Sequence, residues 1–197
     1  KTIHSPNTWP DISINLLFFI SPIVTVMKKL SNRVVVSVLA LSATGLIGIV
    51  SQEGFTPTAV IPTKGDVPTV GFGSTVHQSG TPVRLGDKLT PVQALQTVQA
   101  HLQRIEPQFK ASLPGVEMTQ ASYDAWVDFV YQFGIENWKK SSMRRKLLAG
   151  DERAACDALL LYKYAGGFDC STPGNTRCMG VWTRQLERHR KCMAAQS

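Results

Sequence analysis

The chain has 197 residues, 43% of them hydrophobic and 18% charged, with a formal net charge of +7 and a pI of about 9.4. That length allows one domain of ordinary size plus a terminal extension. The cationic surplus suits an anionic polymer or a membrane surface, unless it is only a solvated basic face. No zinc finger, arginine-rich run or aromatic RNA-binding signature accompanies it, so a nucleic-acid partner is not expected.

Residues 1–26 read as an upstream extension outside the fold. Lys1 is not a start residue, and the apolar run Ile12–Val26 is interrupted by Pro22. Met27-Lys28-Lys29 resembles a fresh beginning, a second short hydrophobic anchor being the competing reading. Residues 27–50 have the layout of an export signal. Lys28, Lys29 and Arg33 form a positive flank, and Val34–Val50 is 17 residues without a charge. As a helix it would span roughly 26 Å, just short of a typical hydrocarbon core. Ser37, Ala40, Ser42, Ala43, Thr44, Gly45 and Gly48 dilute its apolar content, which makes it a weak anchor. The basic flank should stay in the cytoplasm, which places everything after Val50 outside.

Residues 51–197 are expected to form the catalytic domain. Thr56–Gly80 carries prolines and glycines among β-branched residues and reads as a small irregular antiparallel sheet. Helices follow. Thr90-Pro91-Val92-Gln93 is a capping box with proline at the first helical position. Behind it Val92, Leu95, Val98, Leu102, Ile105 and Phe109 keep helical spacing on one face. Thr119 caps the next helix, with Tyr123, Trp126, Val127, Val130 and Tyr131 as its buried stripe and Gly134 as its end. Ser142 and Asp151 are further expected caps, and Gly150 a stop. The helix from Asp151 should run through Leu161 and end near Gly166-Gly167. A last amphipathic helix is expected from about Val181 to Met193. The fold class is therefore α+β: a small sheet lobe beside a mainly helical lobe, with a cleft between them as the expected ligand site.

Cys156, Cys170, Cys178 and Cys192 all lie in the last quarter and form no C-x-x-C pair, which argues against zinc or thioredoxin chemistry. An even count behind an export segment favours disulfides, with three possible connectivities. Cys170–Cys178 is preferred because it closes the loop Ser171–Arg177; Cys156–Cys192 then ties two helices. Four buried thiols are the alternative.

The chemistry concentrates after Val50. Glu53-Gly54-Phe55 precedes Gly65-Asp66-Val67-Pro68-Thr69-Val70-Gly71-Phe72-Gly73, so two carboxylates and a hydroxyl share one turn-rich segment. Glycosidic hydrolysis needs an acid for the leaving oxygen and a second polar group for water on the other face of the sugar. Each residue has a plain alternative: a surface glutamate, a turn aspartate, a strand threonine. The case rests on Glu53-x12-Asp66-x2-Thr69 as a set.

With these landmarks the chain resembles the phage-type lysozymes of glycoside hydrolase family 24, the endolysins. The resemblance covers Gln52 to about Cys192. It is carried by Glu53-Gly54, the Pro68–Gly73 turn, the run Asp124–Gly134, Trp138–Ser142 with Lys146–Asp151, and Gly180–Glu187. It implies a lysozyme-like fold and a catalytic Glu, Asp and Thr. Glu53 and Thr69 match directly. The family's aspartate usually stands nine residues after the glutamate, where this chain has Pro62, and the role is assigned to Asp66, the only carboxylate between Glu53 and Thr69. The resemblance also implies that Tyr131, Gln132 and Ser142 line the saccharide cleft, the alternatives being core packing for Tyr131 and helix capping for Ser142. The implied partner is peptidoglycan, cleaved between N-acetylmuramic acid and N-acetylglucosamine by a monomer without metal or cofactor.

Some endolysins of this family carry a weakly hydrophobic signal-anchor-release segment, which Val34–Val50 resembles in composition and place. While it sits in the inner membrane, Glu53 is held beside the headgroups. On release into the periplasm the domain completes itself. No cysteine precedes Cys156, so activation is expected by refolding rather than thiol exchange, with an ordinary cleaved signal as the rival. For the whole function the rivals are a lytic transglycosylase, a non-catalytic wall-binding or lysis-regulating protein, and a chitinase.

Overall fold

The computed structural model describes residues 32–62 and 65–196; the expected upstream extension and the Met27-Lys28-Lys29 flank lie outside them. Among the described residues the fold begins within the apolar run. Strand β1 (Val34–Val35) pairs antiparallel with β4 (Glu117–Met118), and a 3-10 turn over Val36–Val38 follows. Helix α1 (Ala43–Glu53) then carries the chain to Glu53. The run is therefore divided among three elements, and no described helix is long and apolar enough to cross a membrane.

Polar contacts fix this segment to the helices behind it. Ser42 caps α1, its Oγ accepting from Gly45 N at 3.0 Å while donating to Asp124. Leu41 N donates to Glu106 Oε1 at 2.8 Å, and the Tyr123 hydroxyl donates to the same oxygen at 2.7 Å. A Cβ built on Gly45 would lie 2.8 Å from Asp124 Cγ, so α1 approaches this carboxylate only because residue 45 has no side chain. Arg33 Nη1 lies 2.7 Å from Oε2 of the buried Glu152, and its Nη2 donates to Glu117 O.

The sheet lobe is small. Strands β2 (Thr56–Val60) and β3 (Thr69–Gly71) form an irregular antiparallel pair with Thr56 opposite Gly71 and Val60 opposite Thr69. Ala59, Val70 and Val83 make its own small core, with Leu89 against it. Helix α2 (Pro91–Ala111) opens with the full Thr90–Gln93 capping box. Its first turn differs from expectation: Val92 is 64% exposed and Leu95 also faces solvent, while Ala94 and Thr97 are buried. The cause is steric, because a Cβ on Gly71 would sit 2.7 Å from Ala94 Cβ, so α2 seats a small residue on the β3 backbone. From Val98 to Phe109 the expected stripe is buried.

The larger core belongs to the helices. Thr119 caps α3 (Gln120–Phe133) and Gly134 ends it. Tyr123, Trp126, Val127, Phe129 and Val130 pack with Phe109 and with Trp138 of α4 (Ile135–Lys140). The Trp138 indole donates to Ser112 Oγ at 2.8 Å, so this buried N–H is satisfied. Helix α5 (Ser142–Leu148) is capped by Ser141, whose Oγ accepts from Arg144 N. Ser142 is the first helical residue and not the cap. Asp151 caps α6 (Glu152–Ala158). This helix ends earlier than its leucines suggest: Leu159–Leu161 tighten into a 3-10 turn. Gly166-Gly167, with φ of 54° and 77°, instead turns the hairpin between β5 (Tyr164–Ala165) and β6 (Phe168–Asp169). Two consecutive positive φ values are what a tight hairpin requires and only glycine adopts readily. Disulfides Cys156–Cys192 and Cys170–Cys178 tie α6 to α7 (Met179–Ala194) and close the preceding loop.

Because Val36, Leu39 and Ile49 are all buried, burial of these three side chains stabilises the fold by about 5–9 kcal/mol, against a whole-domain stability of about 5–15 kcal/mol. A chain starting at Ser51 is expected to lose cooperative thermal unfolding and near-UV dichroism, and one starting at Met27 to keep both.

Candidate active site

Glu53 is the last residue of α1, and Gly54 at φ 67° turns the chain sharply into β2. Its side chain is 22% exposed. One face of the carboxylate looks onto the turn after β3: a Cβ built on Gly73 would be 3.2 Å from Glu53 Oε2. The other oxygen is held from the far end of the sequence, where Arg184 Nη1 of α7 donates to Glu53 Oε1 at 2.5 Å.

Arg184 does not serve Glu53 alone. Its Nη2 donates to Asp128 Oδ1 at 2.8 Å, and Arg188 Nε donates to Asp128 Oδ2 at 2.6 Å. Arg188 Nη1 continues to Gln132 Oε1. Asp128 and Gln132 stand four apart on α3, and Arg184 and Arg188 four apart on α7, so two helix faces meet through one ionic ladder. Burial would raise the Asp128 carboxyl, but the two guanidiniums outweigh it and hold Asp128 below the usual carboxylate range. Burial likewise disfavours the charge on Arg184, yet Asp128 and Glu53 hold its pKa above the ordinary value.

The expected site residues fall into two groups. Glu53, Tyr131 and Gln132 come together. Tyr131 is half-buried; its hydroxyl donates to Phe72 O at 3.2 Å, tying α3 to the turn under Glu53. Burial, with the nearby Glu53 charge, pushes this phenol up to about 12, so it stays neutral. Thr69 opens β3 on the strand that leads to this turn, its hydroxyl donating to Val60 O at 3.5 Å. Asp66 stands apart, exposed in the loop between β2 and β3, and its one hydrogen bond among the described residues is from Val67 N. Ser142 is half-buried at the start of α5. Among the described residues no cluster of His, Cys, Asp and Glu could hold a metal ion.

Asp128, Arg184 and Arg188 are absent from the sequence-derived site. Their only sequence signal is the two i, i+4 polar pairs on opposed helices. A cavity of about 340 Å3 between α1, α3 and α7, walled by Gly45, Gly48, Ala125 and these three residues, does not include Glu53 or Thr69 in its wall.

The fold agrees with the comparisons. The phage lysozyme family model matches residues 50–185, and the chain belongs to the phage lysozyme family. It is an endolysin-type lysozyme, a glycosidase. The endolysin of Salmonella phage P22 is 30% identical over 128 residues, covering 65% of this chain and 86% of its own length. The SAR-endolysin of Enterobacteria phage PA-2 is 27% identical over 163 residues, covering 80% and 89%. Among solved structures, the endolysin of Escherichia coli O157:H7 phage FAHEc1 shares the fold at a TM-score of 0.67 and 24% identity, covering 79% of this chain and 94% of that one.

The contact between Gly73 and Glu53 makes one residue decisive. Gly73 has φ 73°, and a Cβ there would crowd Oε2 at 3.2 Å, so the carboxylate would have to give way by a few tenths of an ångström. Gly73→Ala is expected to lower stability by about 1 kcal/mol and to cut wall-lysis activity about tenfold or more by displacing the acid. Urea unfolding and lysis assays on the same preparation separate the two effects.

Proposed function

We propose that the chain is a muramidase of the signal-anchor-release kind, cleaving the β-1,4 bond between N-acetylmuramic acid and N-acetylglucosamine, with Glu53 as general acid. The observation that carries this reading is the placement of Glu53. It ends a helix, is partly open to solvent, lies over a glycine turn and is held by a buried guanidinium.

In the reaction Glu53 gives its proton to the glycosidic oxygen as the bond from the anomeric carbon to that oxygen breaks. Water forms the new bond at the anomeric carbon, and its proton passes to a second carboxylate and then to solvent. Glu53 is left as a carboxylate that Arg184 already contacts. Thr69 orients the water from β3. Asp66, in the loop between β2 and β3, has the charge for the base role. Tyr131, Gln132 and Ser142 contribute saccharide contacts. Inversion follows if a water fits between the two carboxyls.

The relatives named SAR-endolysins support a tethered, then released, life cycle. The packing supports it too. Val36, Leu39 and Ile49 are core residues and cannot occupy the bilayer and the core at once. Tethering through residues 34–50 therefore removes α1 from the fold and keeps Glu53 from Arg184. Release to the periplasm lets α1 form on α3 and assembles the site.

Turbidity loss of outer-membrane-permeabilised Gram-negative cells tests this reading, with the chain from Met27 as wild type, Glu53→Gln and Asp66→Asn. Glu53→Gln is expected to lose at least about 100-fold. A comparable loss in Asp66→Asn supports its role as base; full activity moves that role to another group. An active Glu53→Gln contradicts the mechanism, and an anhydro-sugar product in place of a reducing end makes the enzyme a transglycosylase.

A further inference from the structure

The acid at Glu53 sits at one end of a buried chain of charge that the reaction scheme leaves unused. Two carboxylates, Glu53 and Asp128, face two guanidiniums, Arg184 and Arg188. Arg188 is 2% exposed, Arg184 8% and Asp128 18%. Screening by water is weak at such sites, so each charge acts strongly on its neighbours. A guanidinium against a carboxylate favours the ionised form, which is the wrong form for an acid about to give up a proton. Arg184 alone beside Glu53 would therefore oppose catalysis.

We propose that Asp128 is a positioning residue for the acid: by sharing Arg184 with Glu53 it both fixes that guanidinium and offsets its charge, so that Glu53 can carry the proton the glycosidic oxygen receives. Arg188 acts in the opposite sense. It holds Asp128 through Nε and its backbone carbonyl through Nη2, and spends Nη1 on Gln132 and Gln185. The four charges sum to zero while Glu53 is ionised and to plus one when it is protonated, and the removal of Asp128 or of Arg188 tips that balance. This inference rests on the reading of Glu53 as general acid.

The other groups around Glu53 leave the balance to these four. From α3, Tyr131 is neutral because burial raises its phenol, and Asp124 is bound to Ser42 and Gln120. From α2, His101 lies with its ring 5.4 Å from that of Tyr131; burial and Arg104 lower its pKa, so it too is neutral near pH 7. From α7, Glu187 is paired outward with Arg190 and Lys191. The turn Phe72–Ser74 under the carboxylate carries no charge.

The test is the pH profile of reducing-end release from soluble glycan strands at sub-saturating concentration, with the purified full chain. The alkaline limb reports loss of the acid's proton. Asp128→Asn is expected to move that limb down, because it removes a negative charge that shares Arg184 with the acid. Arg188→Gln is expected to move it up, and the double variant to return it close to wild type. Asp128→Glu should restore the limb that Asp128→Asn displaces. Asp128→Asn leaves two buried guanidiniums short of a partner and can fail to fold; Arg188→Gln keeps Asp128 paired with Arg184 and decides the matter alone. Limbs that coincide with wild type, or that shift in the same direction, overturn the proposal and make the network structural only. Turnover by Glu53→Gln in the same assay overturns the acid assignment itself, which separates the two failures.

Discussion

The contact between Arg184 and Glu53 joins residues 131 positions apart and brings three helices to one point. α1 supplies the acid, α7 the guanidinium, and α3 the carboxylate that shares it. A buried cation must be paired to be tolerated, so Arg184 enforces the geometry: each of its partners has to arrive for the others to be stable. Gly73 from the sheet side and Tyr131 from α3 complete the enclosure, so the turn after β3 is registered against the same carboxylate.

That constraint gives the apolar run its double character. Gly45 and Gly48 weaken Val34–Val50 as a bilayer segment, and Gly45 is also what lets α1 lie against Asp124. Ser42, a poor membrane residue, is the cap of α1 and a ligand of Asp124. Ser42 and Gly45, two of the positions that dilute the apolar run, are thus ones the folded domain uses. In the life cycle proposed above, the equilibrium between lipid and domain is thus written in the same residues, and the acid travels with them because it ends the helix they form.

Much of this fold is legible in the sequence, because local chemistry decides it. Thr90 with Gln93, Thr119, Asp151 and Gly134 end their helices where side-chain capping and glycine require. Glu53 stands out by its place between an apolar run and a glycine turn. What is illegible depends on partners distant in sequence. Val92 and Leu95 continue a helical stripe but face solvent, because the sheet lobe offers that turn of α2 only a glycine backbone to sit on. Ser141 and Ser142 are equivalent as caps until the helix start is fixed. Gly166-Gly167 reads as a helix stop and proves to be a hairpin turn, since two short strands pair across it. Asp128, Arg184 and Arg188 look like ordinary polar faces of amphipathic helices; only their burial against one another gives them a role.

A double-mutant cycle between Glu53 and Arg184 tests the central claim most directly, using Glu53→Gln, Arg184→Gln and the pair, read as unfolding free energies in urea. The account predicts a coupling of about 1–3 kcal/mol, as expected for a largely buried ion pair in one network. Coupling within about 0.3 kcal/mol of zero would mean that α1 does not deliver Glu53 to Arg184 in solution, and would contradict it.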